Sequence, residues 1–118
     1  MNRKWQVVYY ESTRGDKPVE DFINNQEEQV QTKIVPATEY LQEFGTRVGT
    51  PHVKKLTGTE LWELRVLGAG NIRIFYLAVD KHKFLFLHAF KKKTQKTEKR
   101  EIRLAQERLA KYRKIVIS

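Results

Sequence analysis

Cysteine is absent from the 118 residues, so neither a disulfide framework nor a zinc–thiolate site is available, and a reducing cytoplasm suits the chain. The N-terminus lacks the 7–15-residue apolar core of a signal peptide, and no run approaches the ~18 apolar residues needed to cross a bilayer. A soluble cytoplasmic protein without membrane contact is expected. Three scattered histidines and no carboxylate cluster at ligand spacing argue against a metal centre, and no cofactor is expected. No internal repeat or low-complexity linker interrupts the chain. One domain spanning residues 1–118 is expected, large enough to bury roughly 65–70 % of its unfolded surface without staples.

Acidic residues are scarce at one end only. Residues 91–118 hold eleven Lys/Arg against three Glu, which places +8 of the net +9 there. This basic end starts where an apolar strand stops, Phe84-Leu-Phe-Leu-His-Ala-Phe90 running into Lys91-Lys-Lys-Thr-Gln-Lys-Thr97. Lysine charges interleaved with the Thr94 and Thr97 hydroxyls suit phosphate, so RNA or DNA is the first candidate partner.

The periodicities predict a βααβββα order in an α+β fold. Trp5–Tyr10 reads as a first strand. Asp16-Lys17-Pro18 supplies a cap and a first-turn proline for a helix over 18–24. Val30, Ile34, Ala37, Leu41 and Phe44 form a second helical stripe closed by Gly45, with Pro36 expected to kink or split it. Residues 46–59 read as loop. Leu61–Leu67, Asn71–Val79 and Lys83–Phe90 read as an antiparallel meander, and a last helix starts near Glu98 with Ile102, Ala105, Leu109 and Tyr112 as its apolar stripe. If Val66 pairs with Ile72, Arg65 faces Arg73 beside Glu63; like charges so opposed make sense around a bound anion, or as two solvated arginines.

Lys54-Lys-Leu56, Leu61-Trp-Glu-Leu-Arg-Val66, Arg73-Ile-Phe-Tyr76 and His88–Thr97 followed by Glu101-Ile102 and Ala105 resemble the phage-derived HigB-like branch of the RelE/ParE toxin superfamily. The resemblance spans roughly residues 5–112. It implies a RelE-like, antiparallel-dominated small sheet with two helices on one face, a basic concave surface on the other, and a C-terminal helix. It further implies the toxin of a type II toxin-antitoxin system: a ribosome-dependent mRNA endoribonuclease that inhibits translation, needs no metal, and is held by a small helix-turn-helix antitoxin. Carried over by position, the catalytic residues fall on Arg65, Arg73 and Lys92. The tyrosine that some relatives place after the basic run has no counterpart here.

Such cleavage needs the 2′-oxygen aligned on the adjacent phosphorus, negative charge stabilised and protons moved. Bringing a lysine from about 10.4 to 7 costs roughly 4–5 kcal/mol, so a lysine base is disfavoured. Arg73 and Lys92 are therefore assigned to transition-state charge and Arg65 to orienting the phosphate, with Glu63 or His88 left to move the proton. Lys54, Lys55, Lys91, Lys93, Thr94, Lys96 and Thr97 are candidate substrate contacts. The lysine runs also read as solvated loops, and His88, alternating with Phe84, Phe86 and Phe90, as a packed imidazole. The basic last helix either aids solubility or grips ribosomal RNA. Replacing the catalytic cations is expected to leave the melting temperature unchanged or raise it. Two other classes stay open: a ParE-like toxin that binds DNA gyrase without cutting nucleic acid, and a non-catalytic RNA-binding module.

Overall fold

Aromatic and β-branched residues between turn formers build most of the sheet, and apolar stripes build the helices that cover it. The computed structural model describes residues 4–94 and 99–117. The elements are β1 (Gln6–Tyr9), α1 (Pro18–Asn24), α2 (Glu28–Phe44), a 3₁₀ turn (Gly45–Arg47), β2 (Val53–Lys55), β3 (Trp62–Val66), β4 (Ile72–Asp80), β5 (Lys83–Lys91) and α3 (Lys99–Ile117). Five strands form one mixed sheet in the order β1-β5-β4-β3-β2, parallel only between β1 and β5. The architecture is α+β and RelE-like, as expected.

The β3–β4 register is the expected one, with Val66 opposite Ile72, Arg65 opposite Arg73 and Trp62 opposite Tyr76. Three local expectations change. Residues 46–59 are not all loop, because Val53, Lys54 and Lys55 pair with Leu64, Glu63 and Trp62. A three-residue edge strand with two lysines offers no alternation long enough to read, and lysines on an edge discourage further pairing. Pro36 does not split α2, which runs unbroken from Glu28 to Phe44. Pro36 and Thr32, whose carbonyl loses its donor, both face solvent, where water takes the missing bond. Asp16 does not cap α1, since the residue preceding the helix is Lys17. Its carboxylate lies 3.5 Å from Arg14 Nε instead.

Both sheet faces are covered. Val19, Ile34 and Leu41 of α1 and α2 pack on Leu64, Ile74, Phe84 and Phe86. Ala105 and Leu109 of α3 pack on Leu61, Phe75, Leu77, Leu85 and Leu87 on the opposite face. The surface that the resemblance leaves open is thus partly closed by α3, which lies chiefly against β5. Gly45 ends α2 at φ 59°, and a Cβ there would sit 2.7 Å from Trp5 Cδ1. Only glycine lets the indole lie against this helix end while stacking on Phe84 at 4.3 Å between ring centres.

A β-bulge in β5 reorients the strand. Phe75 pairs with His88 but Tyr76 with Phe86, so Leu87 is left without a cross-strand partner. Alternation reverses there. Phe84 and Phe86 face α1 and α2, whereas Phe90 faces α3, as does His88, which bonds α3 side chains. His88 therefore does not share a face with Phe84 and Phe86, as simple alternation predicted.

Candidate nucleic-acid interface

The uncovered part of the α3 face is built by β2, β3 and β4. Lys54 stands opposite Glu63, and Arg65 opposite Arg73. The Arg65 N–H is spent on the His52 carbonyl at 2.8 Å, so Arg65 and Arg73 form a non-hydrogen-bonded pair, the kind that brings side chains closest. Two cations tolerate this because Glu63, 1 % exposed, lies between them with Oε1 3.3 Å from Arg65 Nε and 3.7 Å from Arg73 Nε. Arg73 is the deeper, its side chain 16 % exposed against 29 % for Arg65. Its Nη1 donates to the Ile72 carbonyl at 3.2 Å, while its buried Nε has no hydrogen-bond acceptor. The guanidinium retains donor capacity for a further anion.

Phe90, opposite Arg73 on β5, joins this face to a cleft of about 320 Å³. Phe22, Ala89, Phe90, Lys91, Lys92, Lys93, Arg100 and Glu101 line it. The Lys92 N–H donates to the Asn71 carbonyl at 2.8 Å, which holds the backbone one residue past the end of β5. Lys91 also lines a second hollow with Lys33 and Gly68–Gly70. Lys55 falls on the other phase of β2, opposite Trp62, and its Nζ donates to the Thr59 carbonyl. Thr94 is exposed just beyond Lys93, and Lys96 and Thr97 lie outside the described residues. The structure thus brings together Lys54, Glu63, Arg65 and Arg73 on one sheet face, and Lys91, Lys92 and Lys93 in the adjoining cleft. Lys55 joins neither group.

His88 is 8 % exposed and both its ring nitrogens are occupied. Arg108 Nη1 lies 3.1 Å from Nδ1 and donates to the Leu87 carbonyl at 2.8 Å. Arginine has no acceptor, so Nδ1 must present its lone pair and the proton sits on Nε2, which donates to Glu101 Oε1 at 2.6 Å. Burial pushes His88 below the ordinary histidine value, the Glu101 carboxylate pulls it back, and the Arg108 charge adds to the depression. The folded state therefore resists protonation. Stability from this group is complete above about pH 6.5, the unfolded value, and falls as pH drops below it towards the folded value. The melting temperature should fall more between pH 7.5 and 5.5 in the wild type than in His88→Gln, read by circular dichroism. Equal losses would mean that the folded protein accepts a proton at His88.

Glu101 and Arg108 escape a reading by motif, since each sits alone in a basic helix. Their spacing of seven is the available signal, because it sets both on one flank of the Ile102–Ala105–Leu109 stripe. An acid in the first turn of α3 also suits the unpaired N–H groups there.

Among the described residues, no group of three His, Asp or Glu gathers as a metal site, and no helix is long and apolar enough to cross a membrane. A small mixed sheet flanked by helices and edged with cations is a RelE-like architecture. Residues 21–110 match the phage-derived protein Gp49-like family (DUF891), a RelE/toxin-like family, and the chain belongs to it. No curated protein matches the chain.

Proposed function

We propose that residues 1–118 act as one HigB-like toxin of a type II toxin-antitoxin system, cutting mRNA on the ribosome in the cytoplasm by metal-independent endonuclease chemistry. The observation that carries this reading is the continuity of the Arg65–Arg73 pair, across Phe90, with the Lys91–Lys93 cleft. Such a surface holds a bent single strand by its phosphates while leaving a concave site for one scissile bond. In this reading Arg73 and Lys92 stabilise charge on the phosphate and Arg65 orients it. Lys54, Lys91, Lys93 and Thr94 hold the flanking strand, with Lys96 and Thr97 continuing it. Glu63 keeps the arginines aligned from beneath. Arg103, Lys111 and Lys114, exposed on α3, meet ribosomal RNA.

Induction should arrest growth and place new 5′ ends inside translated mRNAs within minutes, read by end mapping. Intact transcripts with accumulating DNA breaks would select the gyrase-binding class instead. Binding to RNA without cuts would select the non-catalytic module.

A further inference from the structure

We propose that Glu101 is the proton acceptor for RNA cleavage, a catalytic residue on α3 for which His88 and Arg108 are positioning residues; the inference rests on the nuclease reading above. Glu101 is the only acid among the described residues lining the cleft, which it shares with Lys91, Lys92, Lys93 and Arg100. The other two proton-transfer candidates are spent. Glu63 is wholly buried with Oε1 against two guanidinium groups, and both ring nitrogens of His88 are engaged. The Glu101 side chain keeps 15 % exposure.

Its orientation is built rather than incidental. The bulge at Leu87 turns His88 towards α3 and leaves the Leu87 carbonyl to Arg108. Arg108 fixes the imidazole with its lone pair on Nδ1, and the Nε2 proton then holds Glu101 Oε1. Glu101 Oε2 lies 3.7 Å from Arg100 Nη2. A proton reaching the carboxylate has no route into the imidazole, because Arg108 occupies the only lone pair.

The step balances without a co-reactant beyond water. The 2′-O–H bond breaks and its proton passes to the Glu101 carboxylate as the 2′-oxygen bonds to phosphorus. The bond from phosphorus to the 5′-oxygen breaks, that oxygen takes a proton from water, and the hydroxide so formed is neutralised by the proton that Glu101 releases, which restores the carboxylate. The products are a 2′,3′-cyclic phosphate and a 5′-hydroxyl. Lys92, which lines the same cleft, offsets the charge that develops on the non-bridging oxygens.

Glu101→Gln keeps an oxygen for the His88 Nε2–H and removes the basic group. In a purified translation system its single-turnover cleavage of a reporter mRNA should fall by roughly 10²-fold or more. Binding to ribosomes carrying a 2′-O-methylated codon, which lacks the attacking hydroxyl, should be unchanged or tighter, since an anion leaves a cationic cleft. His88→Ala should likewise lose turnover, about tenfold or more, at unchanged binding, which a merely structural role would not separate. If Glu101→Gln fails to fold, Glu101→Asp draws the carboxylate back by one methylene and should cost about tenfold in turnover. Wild-type turnover in the Gln or Asp variant, or a loss explained by weaker binding, overturns the proposal and leaves the nuclease reading standing. A wild-type protein that leaves ribosome-bound mRNA intact overturns both.

Discussion

Arg73→Ala should lose cleavage and stability together, and adding Glu63→Gln should return the stability alone. Glu63 is 1 % exposed and has Arg65 at 3.3 Å and Arg73 at 3.7 Å. Removing one partner of a buried ion pair costs about 3–5 kcal/mol, because the remaining charge is left desolvated. Arg65 stays in place, so the lower end applies, and a loss of about 3 kcal/mol lowers the melting temperature by roughly 10 °C or more for a domain of this size. The expectation that such substitutions leave the melting temperature unchanged or raise it therefore fails for Arg73. Lys92, bordering the open cleft with no salt bridge among the described residues, keeps that expectation. Neutralising the acid in Arg73→Ala/Glu63→Gln removes the uncompensated charge, while the cation for the phosphate is still missing. Cleavage should stay down by about 10² in both variants. A double variant as unstable as the single one would mean that Glu63 is not the source of the cost. A stable and fully active double variant would move the functional surface away from Arg73.

This coupling was half legible in the sequence. The turn at Gly68-Ala-Gly70 set the register that opposes Arg65 to Arg73, and alternation put Glu63 on their face. Depth was not legible, because burial of Glu63 depends on β2, whose three residues carry no readable period. His88 shows a different limit. Its phase was read from Phe84 and Phe86, but the bulge at Leu87 inserts one residue and turns it to the other face. Bulges follow from how strands pair, which no local pattern displays. Glu101 and Arg108 then become partners of His88 across 13 and 20 residues of sequence, through packing of α3 on β5. The helix stripe made α3 predictable. Which sheet side it covers was set by Leu61, Phe75, Leu77, Leu85 and Leu87, the apolar residues on that face.

Association with an antitoxin should slow by about tenfold or more between 50 and 500 mM salt, measured by stopped-flow with the purified proteins. The chain carries +9, and its Lys54–Arg65–Arg73 face and Lys91–Lys93 cleft present cations on adjoining surface. An acidic partner segment with apolar anchors is drawn to such a surface before any contact forms. Steered pairs associate at up to 10⁸–10⁹ M⁻¹s⁻¹ at low salt, against about 10⁵–10⁶ for neutral ones. Raising salt shortens the screening length from more than about 10 Å to less than about 5 Å, which removes the attraction beyond contact. Dissociation depends on buried contacts and should change far less. Lys54→Glu and Lys93→Glu locate the effect: each should slow association at 50 mM and have little influence at 500 mM, if the antitoxin reaches the basic face. Slowing by Lys93→Glu alone would confine docking to the cleft. A rate independent of salt, and indifferent to both substitutions, would rule out electrostatic docking there and point to a partner held on the outer helices.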